Sequence, residues 1–71
     1  MVVVKDDILD HFRQALLNER EYGMLICRRG RIVTLYYIDG AFYIRGKSTV
    51  KYGIADDLLR EEILTGYITW I

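Results

Sequence analysis

The sequence predicts a small α+β domain in which a mostly antiparallel sheet of four to five strands packs with two helices, in the order (β)αββββαβ. Two segments, 7–18 and 54–66, repeat their apolar residues at the spacing of a helix face. The stretch between them, 24–52, alternates as strands do and contains two turn signals. No proline or low-complexity linker divides the chain, so residues 1–71 are expected to form a single domain.

The first elements are predicted to be a short strand and a helix. Val2–Val4 are consecutive β-branched residues, which favour a strand. Asp6 or Asp7 can accept hydrogen bonds from the free amides of a first helical turn, so the helix is expected to begin there and continue to about Asn18. Its apolar stripe consists of Ile8, Leu9, Phe12, Ala15, Leu16 and Leu17.

Two hairpins are predicted in the central stretch, at Asp39-Gly40 and at Arg29-Gly30. Asp-Gly between alternating apolar runs is a strong hairpin signal, because both central residues of a type I′ turn need positive φ. The Arg-Gly signal is weaker since arginine rarely adopts that conformation, and a three-residue loop is the alternative there.

Two-residue turns fix the register of each hairpin, and the register divides the side chains between two sheet faces. Around Asp39-Gly40, Tyr37 is expected opposite Phe42, and Tyr36 opposite Tyr43. The face predicted to join the core holds Met24, Ile26, Val33, Leu35, Tyr37, Phe42 and Ile44. The other face holds Leu25, Cys27, Ile32, Thr34, Tyr36, Tyr43, Arg45 and Lys47.

A further strand at about Thr49–Tyr52 and a closing strand at 67–71 are predicted to extend the sheet, with Gly53 ending the former. Between them, one aspartate of the pair Asp56-Asp57 is expected to cap a second helix, and Gly66 is suited to a left-handed C-cap. The apolar stripe of this helix is predicted to consist of Leu58, Leu59, Ile63 and Leu64.

Candidate catalytic groups are few, and each has a simpler structural interpretation. Asp7 and His11 lie four residues apart on the first helix, but no nucleophile or metal ligand accompanies them, so a solvated helix pair is expected. Cys27 is interpreted as a small buried hydrophobic residue. Asp56-Asp57 and Glu61-Glu62 are interpreted as a helix N-terminus and a polar outer helix face. No metal, cofactor or catalytic site is therefore predicted, and the protein is not expected to be an enzyme.

Charged residues are unevenly distributed along the chain, although the formal net charge is zero. The middle, 28–51, contains one acid, Asp39, and six cations: Arg28, Arg29, Arg31, Arg45, Lys47 and Lys51. Acids are concentrated towards the two ends. In the main interpretation, the acids are partners of the helix dipoles and the cations solvate the hairpin tips. In the alternative interpretation, the cations form a basic binding surface.

The candidate site combines the tyrosines and cations of the second sheet face with the arginines of the first hairpin. Its residues are Tyr36, Tyr43, Arg45, Lys47, Arg28, Arg29 and Arg31. Because tyrosine and arginine are common interface anchors, the leading hypothesis is a small inhibitor or regulator that binds another protein, of the kind carried by viruses or mobile elements. A nucleic-acid-binding module using the basic hairpins 28–51 is the first alternative, weakened by the zero net charge. A structural subunit of a larger assembly is the second. If the second helix covers this sheet face, the phenol groups of Tyr36 and Tyr43 reach a partner only at the edge of the face.

Size and composition also predict association and a reducing location. A domain of 71 residues with a single cysteine has no intramolecular disulfide and buries a limited core, so a homo-oligomer, most simply a homodimer, is expected. No segment has the character of a signal peptide or a membrane span, and the lone cysteine fits the cytoplasm.

Overall fold

A computed structural model describes residues 7–18 and 22–71 of the chain, apart from the side chains of Asp7 and Trp70. Its elements are α1 (Asp7–Leu17), β1 (Met24–Arg28), β2 (Arg31–Ile38), β3 (Ala41–Arg45), β4 (Tyr52–Ile54), α2 (Asp56–Thr65) and β5 (Ile68–Trp70). This order confirms the predicted α+β fold. The strand predicted at Val2–Val4 and the cap predicted at Asp6, or at the Asp7 side chain, lie outside the described residues.

The five strands form one antiparallel sheet in the order β4-β3-β2-β1-β5. Two hairpins carry the chain from β1 through β2 to β3, and β4 adds the edge strand beyond β3. The second helix then returns the chain to the other edge, where β5 pairs with β1. The second helix connects the two edge strands, and it lies against the same sheet face as α1, since residues of both helices belong to one core.

Both hairpin turns contain two residues, and all four of these residues have positive φ. The angles are 53° at Arg29, 80° at Gly30, 52° at Asp39 and 82° at Gly40. A type I′ turn requires such angles, so the weaker turn signal also produces a two-residue turn. The predicted register is confirmed in both hairpins, with Tyr36 opposite Tyr43, Tyr37 opposite Phe42 and Cys27 opposite Ile32.

Both helices pack on the sheet face that the register assigns to the core. The core consists of Leu9, Phe12, Leu16, Ile26, Leu35, Phe42, Ile44, Ile54, Leu59 and Ile68. Tyr37 packs against it, with its ring centroid 4.8 Å from that of Phe42. Neither helix covers the opposite sheet face.

The fourth strand differs from its prediction in both bounds. It spans Tyr52–Ile54 instead of Thr49–Tyr52, and Gly53 lies at its centre instead of ending it. The amide of Val50 donates a hydrogen bond of 2.9 Å to Oγ of Ser48. This local bond offers the backbone an alternative to the sheet and holds the segment before β4 in a bend.

The second helix also begins differently from its prediction. Ala55 is the N-cap residue, with no side-chain capping bond, and its carbonyl accepts the first helical hydrogen bond from Leu59 at 2.9 Å. Asp56 and Asp57 lie in the first turn, where their charge suits the helix dipole. Asp56 instead accepts a hydrogen bond of 2.9 Å from Arg13 of α1. The predicted aspartate cap is therefore wrong, because both aspartates are already inside the helix.

The buried face of α2 is narrower than predicted, and it includes an acid. Leu59 is fully buried and Ile63 packs against the core, but Leu58 and Leu64 are exposed. Glu62 follows Leu59 by three residues and shares its helix face, so that 2% of its surface is exposed. The interpretation of Glu62 as part of a polar outer face is therefore wrong. The helix ends at a left-handed glycine, as predicted.

Candidate functional site

Three of the predicted site arginines gather at the tip of the β1–β2 hairpin. Arg28 ends β1 and Arg31 begins β2, and the register places them directly opposite each other. Both lie on the helix-covered face, because Arg28 follows the buried Ile26 by two residues along the strand. Arg29 occupies the turn between them. The hairpin therefore brings three guanidinium groups to one end of the sheet.

Glu62 of α2 binds Arg28 from the buried side of the hairpin. Nε and Nη2 of Arg28 donate hydrogen bonds to Oε1 and Oε2 of Glu62, at 2.7 and 2.9 Å. The Glu62 side chain is 3% exposed and the Arg28 side chain is 28% exposed. The hydrogen bonds from Arg28 lower the pKa of Glu62 against the opposing effect of burial, and they raise the pKa of Arg28. The carboxylate therefore stays ionised and fixes the plane of the guanidinium.

Arg29 has a left-handed backbone conformation that arginine seldom adopts. Its amide donates a hydrogen bond of 2.9 Å to the carbonyl of Tyr67, which immediately precedes β5. Its guanidinium carbon lies 5.2 Å from the centroid of the Tyr67 ring, and its Nη2 lies 3.8 Å from Oε2 of Glu62. Backbone and side-chain contacts together hold Arg29 beside the acid that binds Arg28.

A pocket of about 640 Å³ opens between the three arginines of the hairpin tip, the sheet and α2. We call it the arginine pocket. Its lining consists of Arg28, Arg29, Arg31, Tyr52, Val33, Ile44, Ile54, Leu58, Gly46 and Gly53. Arg31 is exposed, and within residues 7–18 and 22–71 it has no acidic partner. The pocket therefore combines excess positive charge with an apolar wall.

The sheet face that neither helix covers is the second candidate surface, and we call it the open face. Its side chains are Leu25, Cys27, Ile32, Thr34, Tyr36, Ile38, Ala41, Tyr43, Arg45 and Thr69. Leu25 and Ile32 have 58% and 66% of their surface exposed. Cys27 lies directly opposite Ile32 and is a half-buried free cysteine, so the prediction of its burial holds in part. These three residues form an apolar half of the open face.

Tyr36 lies on the open face, as the register predicts, but its ring is not at the surface. It is 2% exposed. The guanidinium carbon of Arg45 and Nζ of Lys51 lie 5.7 and 4.8 Å from its ring centroid. The backbone of Gly23 approaches closely as well, since a Cβ there would lie 3.0 Å from Cε2 of Tyr36. This burial corrects the expected contact of the Tyr36 ring with a partner: the ring supports two cations instead.

Six of the seven predicted site residues fall into two groups on opposite faces of the sheet. One group, Arg28, Arg29 and Arg31, lines the arginine pocket, and the other, Tyr36, Tyr43 and Arg45, lies on the open face. Lys47 belongs to neither group, because it is exposed in the bend that follows β3. The basic middle of the chain is therefore not one continuous surface.

Two residues of these surfaces escaped the sequence reasoning. Glu62 carried a usable signal, because it follows Leu59 by the three residues that keep a side chain on the same helix face. Lys51 carried none, since it reaches the Tyr36 ring only after the chain bends between β3 and β4.

Comparison with models of protein families, with curated proteins and with solved structures gives no match for this chain. Within the described part of the chain, no three histidine, cysteine or acidic side chains are placed to hold a metal ion. Among those same residues, neither helix has the length and hydrophobicity that crossing a membrane requires.

Proposed function

We propose that this protein is a non-enzymatic binding protein that inhibits or regulates another protein by contacting it through the open face. The observation that carries the proposal is the exposure of Leu25 and Ile32 on a sheet face that neither helix covers. An exposed apolar patch with a polar border favours an interaction site, since a partner removes the patch from water. Covering the exposed part of each of these two side chains contributes about 1–2 kcal/mol to the free energy of binding.

The charge of the open face specifies the chemistry of the partner. Among the described side chains of this face there is no acid, whereas Arg45 belongs to it and Lys51 lies over the Tyr36 ring beside it. A complementary partner surface therefore has an apolar centre and a margin of aspartate or glutamate.

The buried Tyr36 ring gives these cations fixed positions before a partner arrives. Arg45 and Lys51 both lie within cation–π distance of the ring. Side chains that are already ordered lose less conformational entropy on binding. Tyr36 thus supports the interface from below, while Tyr43 and Arg45 contact the partner.

A second copy of the chain suits the open face less well, because it would bring the same cations to the interface and like charges repel there. The expected homo-oligomer remains a prediction and would use apolar residues elsewhere, such as the exposed Leu17. Sedimentation velocity at micromolar concentration tests it. A stable species of 8.4 kDa contradicts self-association.

The absence of catalysis is part of the proposal. The acid beside the arginine pocket, Glu62, is held ionised by Arg28, and guanidinium groups do not release protons near neutral pH. Both Glu62 oxygens accept hydrogen bonds from Arg28, so the carboxylate is a weak proton acceptor, and neither group is suited to general acid or base catalysis.

We also propose that the protein works in the cytoplasm. Cys27 is a free thiol on the open face. A reducing compartment keeps such a thiol from forming an intermolecular disulfide across the interface.

Nucleic-acid binding is the second candidate function, favoured by the three arginines at one hairpin tip. The other cations of the basic middle, Arg45, Lys47 and Lys51, lie on the opposite face or in the bend, and the formal net charge is zero. Backbone affinity for nucleic acid depends on accumulated cations, so this function ranks second.

The experiment compares three baits in extracts of cells that encode the protein. They are the wild type, Leu25→Ser with Ile32→Ser, and the control Leu64→Ser, which removes an equally exposed leucine from α2. The partner is retained by wild type and control and lost by the double variant. Once it is purified, calorimetry is expected to give a dissociation constant at least about tenfold weaker for the double variant. Equal retention by all three baits contradicts the proposal.

A further inference from the structure

The arrangement of Arg28, Arg29 and Arg31 at the hairpin tip is expected to lower the stability of the hairpin. Arg28 and Arg31 are directly opposite on neighbouring strands, and like charges in that position repel each other. Arg29 has a left-handed backbone conformation that glycine or asparagine adopts more readily. Features that break local rules in this way are expected where function requires them.

The charge of the arginine pocket indicates the charge of its ligand. Three guanidinium groups line the pocket, and one carboxylate, Glu62, lies within ion-pair distance of two of them. Two positive charges therefore remain uncompensated by the described acids around the pocket. A phosphomonoester carries about −1.5 to −2 charges at neutral pH, whereas a carboxylate carries one.

We propose that the arginine pocket binds a phosphomonoester with an apolar organic group. The planar guanidinium suits phosphate oxygens, because its parallel N–H donors match two of them at once. Glu62 occupies Nε and Nη2 of Arg28, so the second terminal nitrogen of Arg28 and the side chains of Arg29 and Arg31 are the donors that face the ligand.

The wall of the pocket accommodates the organic part of the ligand. Val33, Ile44, Ile54 and Leu58 supply apolar surface, and Tyr52, an exposed residue, supplies an aromatic ring. The volume of about 640 Å³ lies within the range typical of small-molecule sites. Phosphate contacts at one end and apolar contacts at the other distinguish this ligand from inorganic phosphate.

Calorimetric titration at constant ionic strength tests the proposal with phenyl phosphate, inorganic phosphate and benzoate as probes. Phenyl phosphate is expected to bind the wild type at least about tenfold more tightly than either of the others, because only it combines both halves of the ligand. Chemical shifts of the amides at 28–31 should change during the same titration. No binding of phenyl phosphate, or equal binding of benzoate, overturns the proposal.

Matched variants separate a specific site from general attraction to positive charge. Arg31→Gln removes the arginine that has no acidic partner among the described residues, and it is expected to weaken the binding of phenyl phosphate at least about tenfold. Lys47→Gln removes an exposed cation outside the pocket lining and should change the affinity by less than about twofold. Equal losses in the two variants overturn the site. Thermal unfolding of both variants checks that the fold is kept.

A phosphomonoester could come from a free small molecule or from a phosphorylated side chain, and a further probe distinguishes them. The probe is a short uncharged peptide that carries one phosphotyrosine. An affinity equal to that of phenyl phosphate assigns the site to a small molecule, and an affinity about tenfold higher assigns it to a protein segment. Leu25→Ser with Ile32→Ser should leave this binding unchanged, because those residues lie on the opposite face.

Discussion

Arg28 and Glu62 form an ion pair with two hydrogen bonds, at 2.7 and 2.9 Å, that joins the tip of the β1–β2 hairpin to α2. The acid is buried and the arginine is partly exposed. This geometry ties the position of the helix to the position of the arginines. The same contact therefore contributes to the fold and arranges the arginine pocket.

Glu62→Ala is expected to destabilise the protein by roughly 2–4 kcal/mol, because it leaves Arg28 without its buried partner. The value is below that of a fully buried pair, since solvent reaches part of the arginine. Urea unfolding measures it. Glu61→Ala, at the exposed neighbouring position, should change stability by less than about 0.5 kcal/mol. Similar losses of unfolding free energy in the two variants would mean that the Arg28–Glu62 ion pair makes no specific contribution to stability.

At acidic pH, Glu62 should lose its contribution to the stability of the fold. Its pKa is lowered in the folded protein, chiefly by the hydrogen bonds from Arg28, so its ionised form stabilises the fold above the unfolded value near 4.5. That stability is lost as the pH falls below the unfolded value and through the folded one. The difference in unfolding free energy between wild type and Glu62→Gln should therefore be constant near neutral pH and shrink in acid. A difference that grows in acid contradicts this account.

The Asp39-Gly40 turn gives a test of the hairpin register. Gly40 has φ of 82° and open space around its Cα, so Gly40→Val introduces backbone strain without a clash. A β-branched residue in this conformation should cost about 1–3 kcal/mol. Gly46→Ala, which also meets open space but lacks positive φ, serves as the control and should be nearly neutral. An unchanged unfolding midpoint for Gly40→Val would mean that the turn is not of this type.

The two faces of the β2–β3 hairpin should respond differently to truncation. Phe42 is 1% exposed in the core, so Phe42→Ala is expected to cost roughly 3–5 kcal/mol. Tyr43 and Arg45 are half-buried on the open face, and their joint replacement by alanine should cost much less stability and instead weaken partner binding. Denaturant unfolding and calorimetry measure the two effects. A double variant as unstable as Phe42→Ala would show that the open face is part of the core.

Pairing within the two hairpins could be predicted from sequence because it is a local property. A two-residue turn leaves one register, and the register alone separates the core residue Tyr37 from the open-face residue Tyr36. In the structure, the same register brings Arg28 opposite Arg31.

Burial of individual polar and aromatic side chains could not be predicted in the same way, because it depends on segments that are distant in sequence. The Tyr36 ring is buried beneath Arg45 and Lys51, and Lys51 reaches it only across the bend before β4. Glu62 is buried because Arg28, 34 residues away, supplies its hydrogen bonds. The spacing from Leu59 places Glu62 on the buried helix face, but no local pattern identifies Arg28 as its partner or places Lys51 beside Tyr36.

Site-specific photo-crosslinking from the open face tests the central claim most directly. A photoreactive amino acid replaces Ile32 in one version of the protein and Leu64 in a second, because both residues are similarly exposed but lie on different surfaces. Irradiation in the producing cells is expected to give one defined adduct with another protein from position 32 and none from position 64. Arg45→Glu should suppress this adduct, since the partner surface is expected to be acidic. Equal adducts from both positions, or an adduct formed only with a second copy of this chain, would contradict the proposed function.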